Sequence, residues 1–220
     1  MYNTILFDLD GTLLDTTSGV ISAVKKTIQQ YKFKMPSESV LKTFVGPPMQ
    51  KSMAETFNLN SDEALKVAND FRANYKKYSL YDAQLYPGIM NLLGNLKHNG
   101  FKIAIATNKS HDNAEAIIKY FQIDQYCDFY MGSDLDGKLT KADIVSKCID
   151  ILDANKNKTV LIGDSEFDLV GANQVGIDFI GVTYGFGFKS DVDKSKNKYF
   201  DNVFELDEFL NKQKEIMVLC

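Results

Sequence analysis

Positive charge is not in excess in this sequence. Lys and Arg together number 25 against 29 Asp and Glu residues, so the formal net charge is −4. A surface that binds nucleic acid in general needs a positive field to attract the phosphates. We therefore expect no nucleic acid among the partners of this protein.

Cysteine is scarce as well. The sequence has only three, Cys127, Cys148 and Cys220, and they lie far apart without a CxxC pair. A small, odd and scattered set argues against both a disulfide framework and a zinc site. It is typical of reduced thiols, so we expect a cytoplasmic protein.

Long apolar runs are missing too. No stretch approaches the roughly 18 apolar residues that a membrane span requires, and the start of the chain lacks the basic region of a secretory signal. We therefore expect no membrane partner.

What the sequence does have is 45% hydrophobic residues over 220 positions. That is enough for one large domain, or for one domain with a sizeable insert.

Short apolar runs rich in branched or aromatic residues alternate with amphipathic helical patterns along most of the chain. Runs of this type suit strands that are covered on both faces. They occupy residues 4–7, 102–107, 128–132, 159–163 and 179–183. The alternation predicts an α/β fold, a doubly wound parallel sheet with helices on both faces.

Residues 16–84 interrupt that alternation. Apolar residues recur there at helical spacing, and the turn Gly46-Pro47-Pro48 divides the segment. We interpret the segment as a helical cap domain inserted after the first strand. The catalytic core would then comprise residues 1–15 and 85–220.

The candidate site residues come at the carboxyl ends of predicted strands, where ligands bind in doubly wound sheets. Asp8 and Asp10 follow the first strand, Thr107 and Asn108 end or follow the second, and Asp164 follows the fourth. Clustered carboxylates repel one another and need a cation. Oxygen ligands select a hard ion such as Mg²⁺.

Two further residues extend this set. Lys141 opens a helical pattern, and Asp168 lies four residues after Asp164. Thr107, nearby backbone N–H groups and Lys141 offer donors and positive charge to an anion. Carboxylates, Mg²⁺ and an anion site together indicate phosphoryl transfer with an aspartate nucleophile.

Two other patterns favour plainer interpretations. A second DLDG, at residues 134–137, lacks the threonine that follows the first and lacks the ligand spacing of an EF-hand. We interpret it as a turn. The run GFGFK at 185–189 lacks the third glycine of a dinucleotide fingerprint and follows the last long strand. We interpret it as a loop near the mouth of the site.

Four motifs occur in a fixed order: DLDGTLLDT at 8–16, ATNK at 106–109, TKADIV at 140–145 and GDSEFD at 163–168. They resemble the motifs of the haloacid dehalogenase superfamily, in the phosphatase branch with a helical cap after the first motif. The chain is similar to phosphoglycolate phosphatases, and the resemblance covers essentially all 220 residues.

The resemblance implies a role for each carboxylate. Asp8 would be the nucleophile that forms an aspartyl-phosphate, and Asp10 would protonate the leaving alcohol and then activate water. Mg²⁺ would be held by Asp8, by the backbone carbonyl of Asp10 and by Asp164. Asp168 would support the surroundings of the metal.

The resemblance also implies which residues hold the phosphate. Thr107 and Asn108 would bind phosphoryl oxygens, and Lys141 would neutralise charge on the nucleophile and the phosphate. Many relatives place proline directly after this lysine, where the chain has Ala142, and Lys138 lies close by. We favour Lys141 because it opens the helical pattern.

The implied activity is Mg²⁺-dependent hydrolysis of a small phosphorylated metabolite, as in phosphoglycolate phosphatases, by a monomer or homodimer. A 5′-nucleotidase or a pyrophosphatase is the alternative in the same family.

A dehalogenase normally lacks the second aspartate, and a phosphonatase needs a cap lysine that nothing here singles out. A β-phosphoglucomutase usually carries a histidine where this chain has Val20. The alternative to an enzyme is a non-catalytic binding or regulatory module. The complete set of motif aspartates argues against it.

Overall fold

The computed structural model describes residues 1–134, 138–189, 191–193 and 195–218, with side chains up to residue 212 of the last helix. The strands are β1 (Thr4–Phe7), β2 (Leu14–Asp15), β3 (Gln84–Leu85), β4 (Lys102–Ser110), β5 (Phe129–Ser133), β6 (Thr159–Gly163), β7 (Asp178–Val182) and β8 (Lys198–Phe200). The helices are α1 (Thr17–Gln30), α2 (Glu38–Lys42), α3 (Met49–Phe57), α4 (Ser61–Tyr78), α5 (Ile89–His98), α6 (His111–Tyr120), α7 (Lys141–Ile151), α8 (Glu166–Val175) and α9 (Val203–Val218).

Six strands form one sheet in the order β5-β4-β1-β6-β7-β8, and neighbouring strands pair in parallel. From β1 the chain builds outward on one side through β4 and β5, and then on the other side through β6, β7 and β8. The direction reverses beside β1, which is where a doubly wound sheet opens a crevice for a ligand. The predicted α/β fold is confirmed.

The sheet is covered on both faces. Every residue of β1 is buried, although successive side chains of a strand point to opposite faces. Leu6 belongs to a buried cluster that includes Leu161 of β6 together with Ile144 and Val145 of α7. Continuous burial explains why the strands read as unbroken apolar runs and not as alternating ones.

The chain divides into two compact units. One comprises residues 1–14 and 85–220, and the other comprises residues 15–84. The division falls one residue before the predicted boundary at 15/16. The assignment of the second unit as a cap stays a prediction.

The unit of residues 15–84 is built from α1 to α4. A capping box starts α4, because Asn60 accepts from the backbone N–H of Glu63 while the Glu63 side chain accepts from the N–H of Asn60. Tyr31, which follows α1, donates to Asp70 of α4 at 2.6 Å. None of the helices in the described part of the chain is both long and apolar enough to cross a bilayer.

Candidate active site

Asp8 lies directly beyond β1 and is still held by the sheet. Its backbone N–H donates to the carbonyl of Ile162 in β6 at 2.8 Å, and its side chain is buried. Asp8 Oδ1 accepts a hydrogen bond from Lys141 Nζ at 2.6 Å. The predicted nucleophile and the predicted lysine are therefore in direct contact.

The start of α7 positions Lys141. Thr140 caps the helix, since its Oγ1 accepts from the N–H of Asp143 at 3.2 Å and its own N–H donates to Asp143 Oδ2 at 2.9 Å. The helix consequently begins at Lys141. A cation is unfavourable at the positive end of a helix, so this lysine needs anionic partners.

Those partners are close. Lys141 Nζ lies 2.6 Å from Asp8 Oδ1, 2.7 Å from Asp168 Oδ1 and 2.6 Å from the carbonyl of Ala106. Three acceptors match the three N–H donors of an ammonium group. Burial by itself would lower the pKa of Lys141, but attraction to Asp168 and Asp8 outweighs it and raises the pKa. The lysine is thus held in its charged form.

Asp164 lies directly beyond β6 and is buried. Its Oδ2 accepts from the backbone N–H groups of Phe186 at 2.7 Å and Gly187 at 3.1 Å. Burial and the charge of Asp168 raise the pKa of Asp164 to about 6, against the effect of the two N–H groups and Lys141. Two donors on one oxygen fix the plane of the carboxylate.

Glycines make this packing of Asp164 sterically feasible. A Cβ atom on Gly185 would lie 2.5 Å from the Asp164 Cβ, and one on Gly187 would lie 2.4 Å from the Asp164 carbonyl oxygen. The GFGFK run therefore wraps Asp164 closely, which agrees with our interpretation of it as a loop at the site.

Asp168 is the third residue of α8 and is also buried. Its Oδ1 accepts from Lys141, and its Oδ2 accepts from the hydroxyl of Ser165 at 2.6 Å and from the N–H of Ser165 at 3.2 Å. The first turn of a helix is favourable for an anion. Both carboxylate oxygens of Asp168 are thereby occupied by protein donors.

Asp8, Asp164 and Asp168 form one buried group, with an oxygen of each within 4.8 Å of the others. Burial raises the pKa of Asp8, and the charges of Asp168 and Asp164 raise it further, while Lys141 opposes them. Within the described residues, one ammonium, that of Lys141, contacts this group of three carboxylates, so negative charge is in excess when all three are ionised. Buried oxygen ligands with excess negative charge fit a hard divalent cation such as Mg²⁺. The side chain of Asp10 is not a member of this group, so its predicted contribution through the backbone carbonyl stays a prediction.

The carboxylate of Asp10 instead meets a residue to which sequence reasoning gave no role. Lys109 Nζ lies 3.0 Å from Asp10 Oδ1 and 2.9 Å from Oδ2. The Lys109 side chain is only 7% exposed, whereas that of Asp10 is 24% exposed. The available signal was the position of Lys109, directly after Thr107 and Asn108 beyond the same strand.

The two predicted phosphate-binding residues differ in exposure. Thr107 is buried, and its Oγ1 accepts from the backbone N–H of Lys109 at 3.3 Å. Asn108 is exposed. No observed contact tests their roles, which stay predictions.

The second DLDG lies only partly in the described chain. Asp134 Oδ1 accepts from the backbone N–H groups of Lys138 at 2.8 Å and Leu139 at 3.0 Å. Residues 135–137, including Asp136, are outside the described residues.

Two of the three cysteines, Cys127 and Cys148, are free thiols. Cys220 is outside the described residues.

Comparisons with known proteins identify the family. The model of the haloacid dehalogenase-like hydrolases matches residues 5–182. The chain belongs to this family. A 5′-nucleotidase from Pseudomonas aeruginosa is 32% identical over 192 residues, which is 87% of this chain and 87% of that protein.

Two further matches span most of the chain. The crystal structure of a predicted phosphatase from Clostridium acetobutylicum is 34% identical, with a TM-score of 0.88 over 96% of this chain and 99% of that one. The tyrosine-protein kinase PtkA of Mycobacterium tuberculosis is 30% identical over 205 residues, or 93% of this chain and 70% of that protein. The predicted family and enzyme class, a haloacid dehalogenase-like phosphatase, are confirmed.

Proposed function

We propose that the protein is an Mg²⁺-dependent phosphatase that hydrolyses small phosphate monoesters through an aspartyl-phosphate on Asp8. The observation that carries this proposal is the buried group of Asp8, Asp164 and Asp168, closed by Lys141 at 2.6 Å from Asp8 Oδ1. A nucleophilic carboxylate beside a fixed cation suits attack on an anionic phosphate, which it would otherwise repel.

In the first half of the reaction, an oxygen of Asp8 attacks phosphorus and the bond to the leaving oxygen breaks. Asp10 gives its proton to that oxygen, so the alcohol leaves in neutral form. Lys141 offsets the charge that Asp8 and the phosphoryl group bring together. Thr107 and Asn108 bind phosphoryl oxygens.

In the second half, Asp10 accepts a proton from water while the water oxygen attacks phosphorus. The bond between phosphorus and Asp8 breaks, which releases inorganic phosphate and restores the Asp8 carboxylate and the protonated Asp10. When Mg²⁺ is bound, it screens the phosphoryl oxygens from the carboxylates and stabilises the charge that develops on them. Asp8, Asp164 and the backbone carbonyl of Asp10 would hold it, with Asp168 keeping Lys141 in place.

For the substrate, we propose a small phosphorylated metabolite of the phosphoglycolate type. Nucleoside 5′-monophosphates are the second candidate, because the Pseudomonas aeruginosa relative is named a 5′-nucleotidase. Relatives named pyrophosphatase PpaX, at 27% identity in one bacterium, support diphosphate as the third. We propose action in the cytoplasm as a monomer or homodimer, without nucleic acid or membrane partners.

The test is phosphate release from a panel of 2-phosphoglycolate, nucleoside 5′-monophosphates, sugar phosphates and pyrophosphate, with Mg²⁺ and with a chelator. Asp8→Asn is the matched variant, since it keeps the shape of the side chain. We expect Mg²⁺-dependent turnover by the wild type, none by Asp8→Asn, and a labelled, hydroxylamine-sensitive adduct after acid quenching of the wild type alone. Absence of turnover on every substrate with every divalent ion tested would support a non-catalytic module instead.

A further inference from the structure

The end of β4 is irregular next to the candidate site. Ala106 pairs with Met131 of β5, but the next pair joins Ser110 to Ser133, and the register shifts between them. Four steps along β4 therefore correspond to two steps along β5, so β4 carries a bulge. Bulges of this kind redirect side chains and are common beside active sites. Here the bulge includes Thr107, Asn108 and Lys109.

A glycine on the neighbouring strand accommodates the bulge. A Cβ atom on Gly132 of β5 would lie 2.5 Å from the carbonyl oxygen of Lys109 and 2.7 Å from the Cα of His111. The backbone at Lys109 thus passes over Gly132 in space that a side chain would fill. The position of Lys109 is consequently set by the packing of β4 against β5.

From this position Lys109 reaches across to Asp10, in the segment that follows β1. Its Nζ contacts both oxygens of Asp10, at 3.0 and 2.9 Å. A cation that touches both oxygens restrains the rotation of the carboxylate about its Cβ–Cγ bond as well as the position of the group. The lysine side chain is almost fully buried, but a quarter of the Asp10 side chain is open, so Lys109 holds a carboxylate that a substrate can still approach.

We infer that Lys109 is a positioning residue for the proposed reaction: it acts through Asp10, orienting the carboxylate that transfers a proton to the leaving group. This inference rests on the proposed function. It makes Lys109 distinct from Lys141, whose contacts are with Asp8 and Asp168. The competing role is direct binding of the substrate phosphate by Lys109.

The leaving group separates the two roles. An alkyl phosphate needs a proton on its leaving oxygen, whereas 2,4-dinitrophenyl phosphate expels a stable anion without one. A residue that orients the proton donor matters for the first substrate and hardly for the second. A residue that binds phosphate matters equally for both. The quantity to compare is kcat/KM, because it includes transfer to Asp8 and excludes later hydrolysis of the aspartyl-phosphate.

The experiment measures kcat/KM of wild type, Lys109→Met and Lys109→Arg on 2,4-dinitrophenyl phosphate and on the best alkyl phosphate of the panel. We expect Lys109→Met to lose a factor on the order of 10² on the alkyl phosphate, the scale of a misplaced catalytic group. On the dinitrophenyl ester the loss should stay within about 3-fold. Lys109→Arg, which keeps a cation, should recover part of the alkyl-phosphate rate. Equal losses on both substrates would overturn the inference in favour of phosphate binding.

A double variant provides the second arm. If Lys109 acts only through Asp10, Lys109→Met should cost nothing further in an Asp10→Ala background. A full additional loss in that background would also overturn the inference. Lys97→Met is the control, because it removes another lysine–aspartate pair, with Asp128, from the helix before β4, and it should leave both rates unchanged. A wild type that hydrolyses neither ester would contradict the proposed function itself. Failure of the proposed function can therefore be distinguished from failure of the inference about Lys109.

Discussion

Gly11 and Asp164 are packed so closely that no side chain fits between them. A Cβ atom on Gly11 would lie 2.3 Å from Asp164 Oδ2, and Gly11 also has a φ of +86°. The carboxylate of Asp164, in the motif GDSEFD, therefore requires a glycine at position 11, in the motif DLDGTLLDT. The two residues are more than a hundred positions apart in the chain. Both requirements, close approach and positive φ, exclude other residues at this position.

We predict that Gly11→Ala weakens Mg²⁺ binding by an order of magnitude or more and lowers stability by about 1–3 kcal/mol, through displacement of Asp164 and backbone strain. Titration calorimetry and thermal unfolding measure the two effects. Gly94→Ala is the control: Gly94 lies within α5, and the nearest atom to its added Cβ is 3.7 Å away. That variant should gain about 0.5–1 kcal/mol from helix propensity. Unchanged Mg²⁺ affinity in Gly11→Ala would contradict the prediction.

The second prediction concerns Lys141. Within the described residues, its ammonium is the only cation in contact with the buried carboxylates. Lys141→Met would leave Asp8 and Asp168 without it, and removing one partner of a buried ion pair costs about 3–5 kcal/mol. We expect a large drop in melting temperature with a chelator present and a larger stabilisation by Mg²⁺ than in the wild type, since the metal then supplies the missing charge. Lys97→Met, which breaks an exposed pair, should cost about 0–1 kcal/mol. Equal Mg²⁺ effects in Lys141→Met and wild type would count against a metal in this group.

Much of the candidate site was predictable from sequence, because ligands bind at the carboxyl ends of the strands in doubly wound sheets. In a parallel sheet the carboxyl ends of adjacent strands share an edge, so Asp8 and Asp164, which follow β1 and β6, could be expected together although they are far apart in sequence. Lys141 was found from the helical pattern that it opens. The apolar runs marked β1 and β6 at their observed bounds, because both strands are buried along their whole length.

The partner of Asp10 was not predictable in the same way. Lys109 reaches Asp10 because of a bulge, and a bulge depends on register between β4 and β5, which apolar patterning does not report. We ended that strand at residue 107, three residues before its observed end at Ser110. The strand β8 was missed as well, since a period cannot be read from three residues.

The third prediction is a pH dependence of metal binding. Because burial and Asp168 raise the pKa of Asp164 to about 6, this carboxylate is protonated at a higher pH than a free aspartate. Burial also raises the pKa of Asp8, the other side chain proposed to hold the metal, to about 8. Protons then compete with Mg²⁺ at both carboxylates, so affinity should fall progressively as the pH drops from about 8 through about 6. Calorimetric titrations at several pH values between about 5 and about 9 would measure it. A midpoint near the value for a free aspartate would show that Asp164 is not the group that limits binding.

The last prediction tests how the fold delivers Lys109 to the site. In Gly132→Ala the new methyl group would meet the Lys109 carbonyl oxygen at 2.5 Å, so the bulge of β4 must shift, at a cost of about 1–3 kcal/mol. The shift moves Lys109 without changing any charge. We therefore expect this variant to lose kcat/KM on the alkyl phosphate by about 10-fold or more, while hydrolysis of 2,4-dinitrophenyl phosphate is largely retained. Gly94→Ala again serves as the control, because its methyl group makes only an ordinary van der Waals contact, 3.7 Å from Tyr126, in the same unit. Loss of stability with unchanged selectivity between the two esters would mean that Gly132 serves the packing of β4 against β5 and not the placement of Lys109.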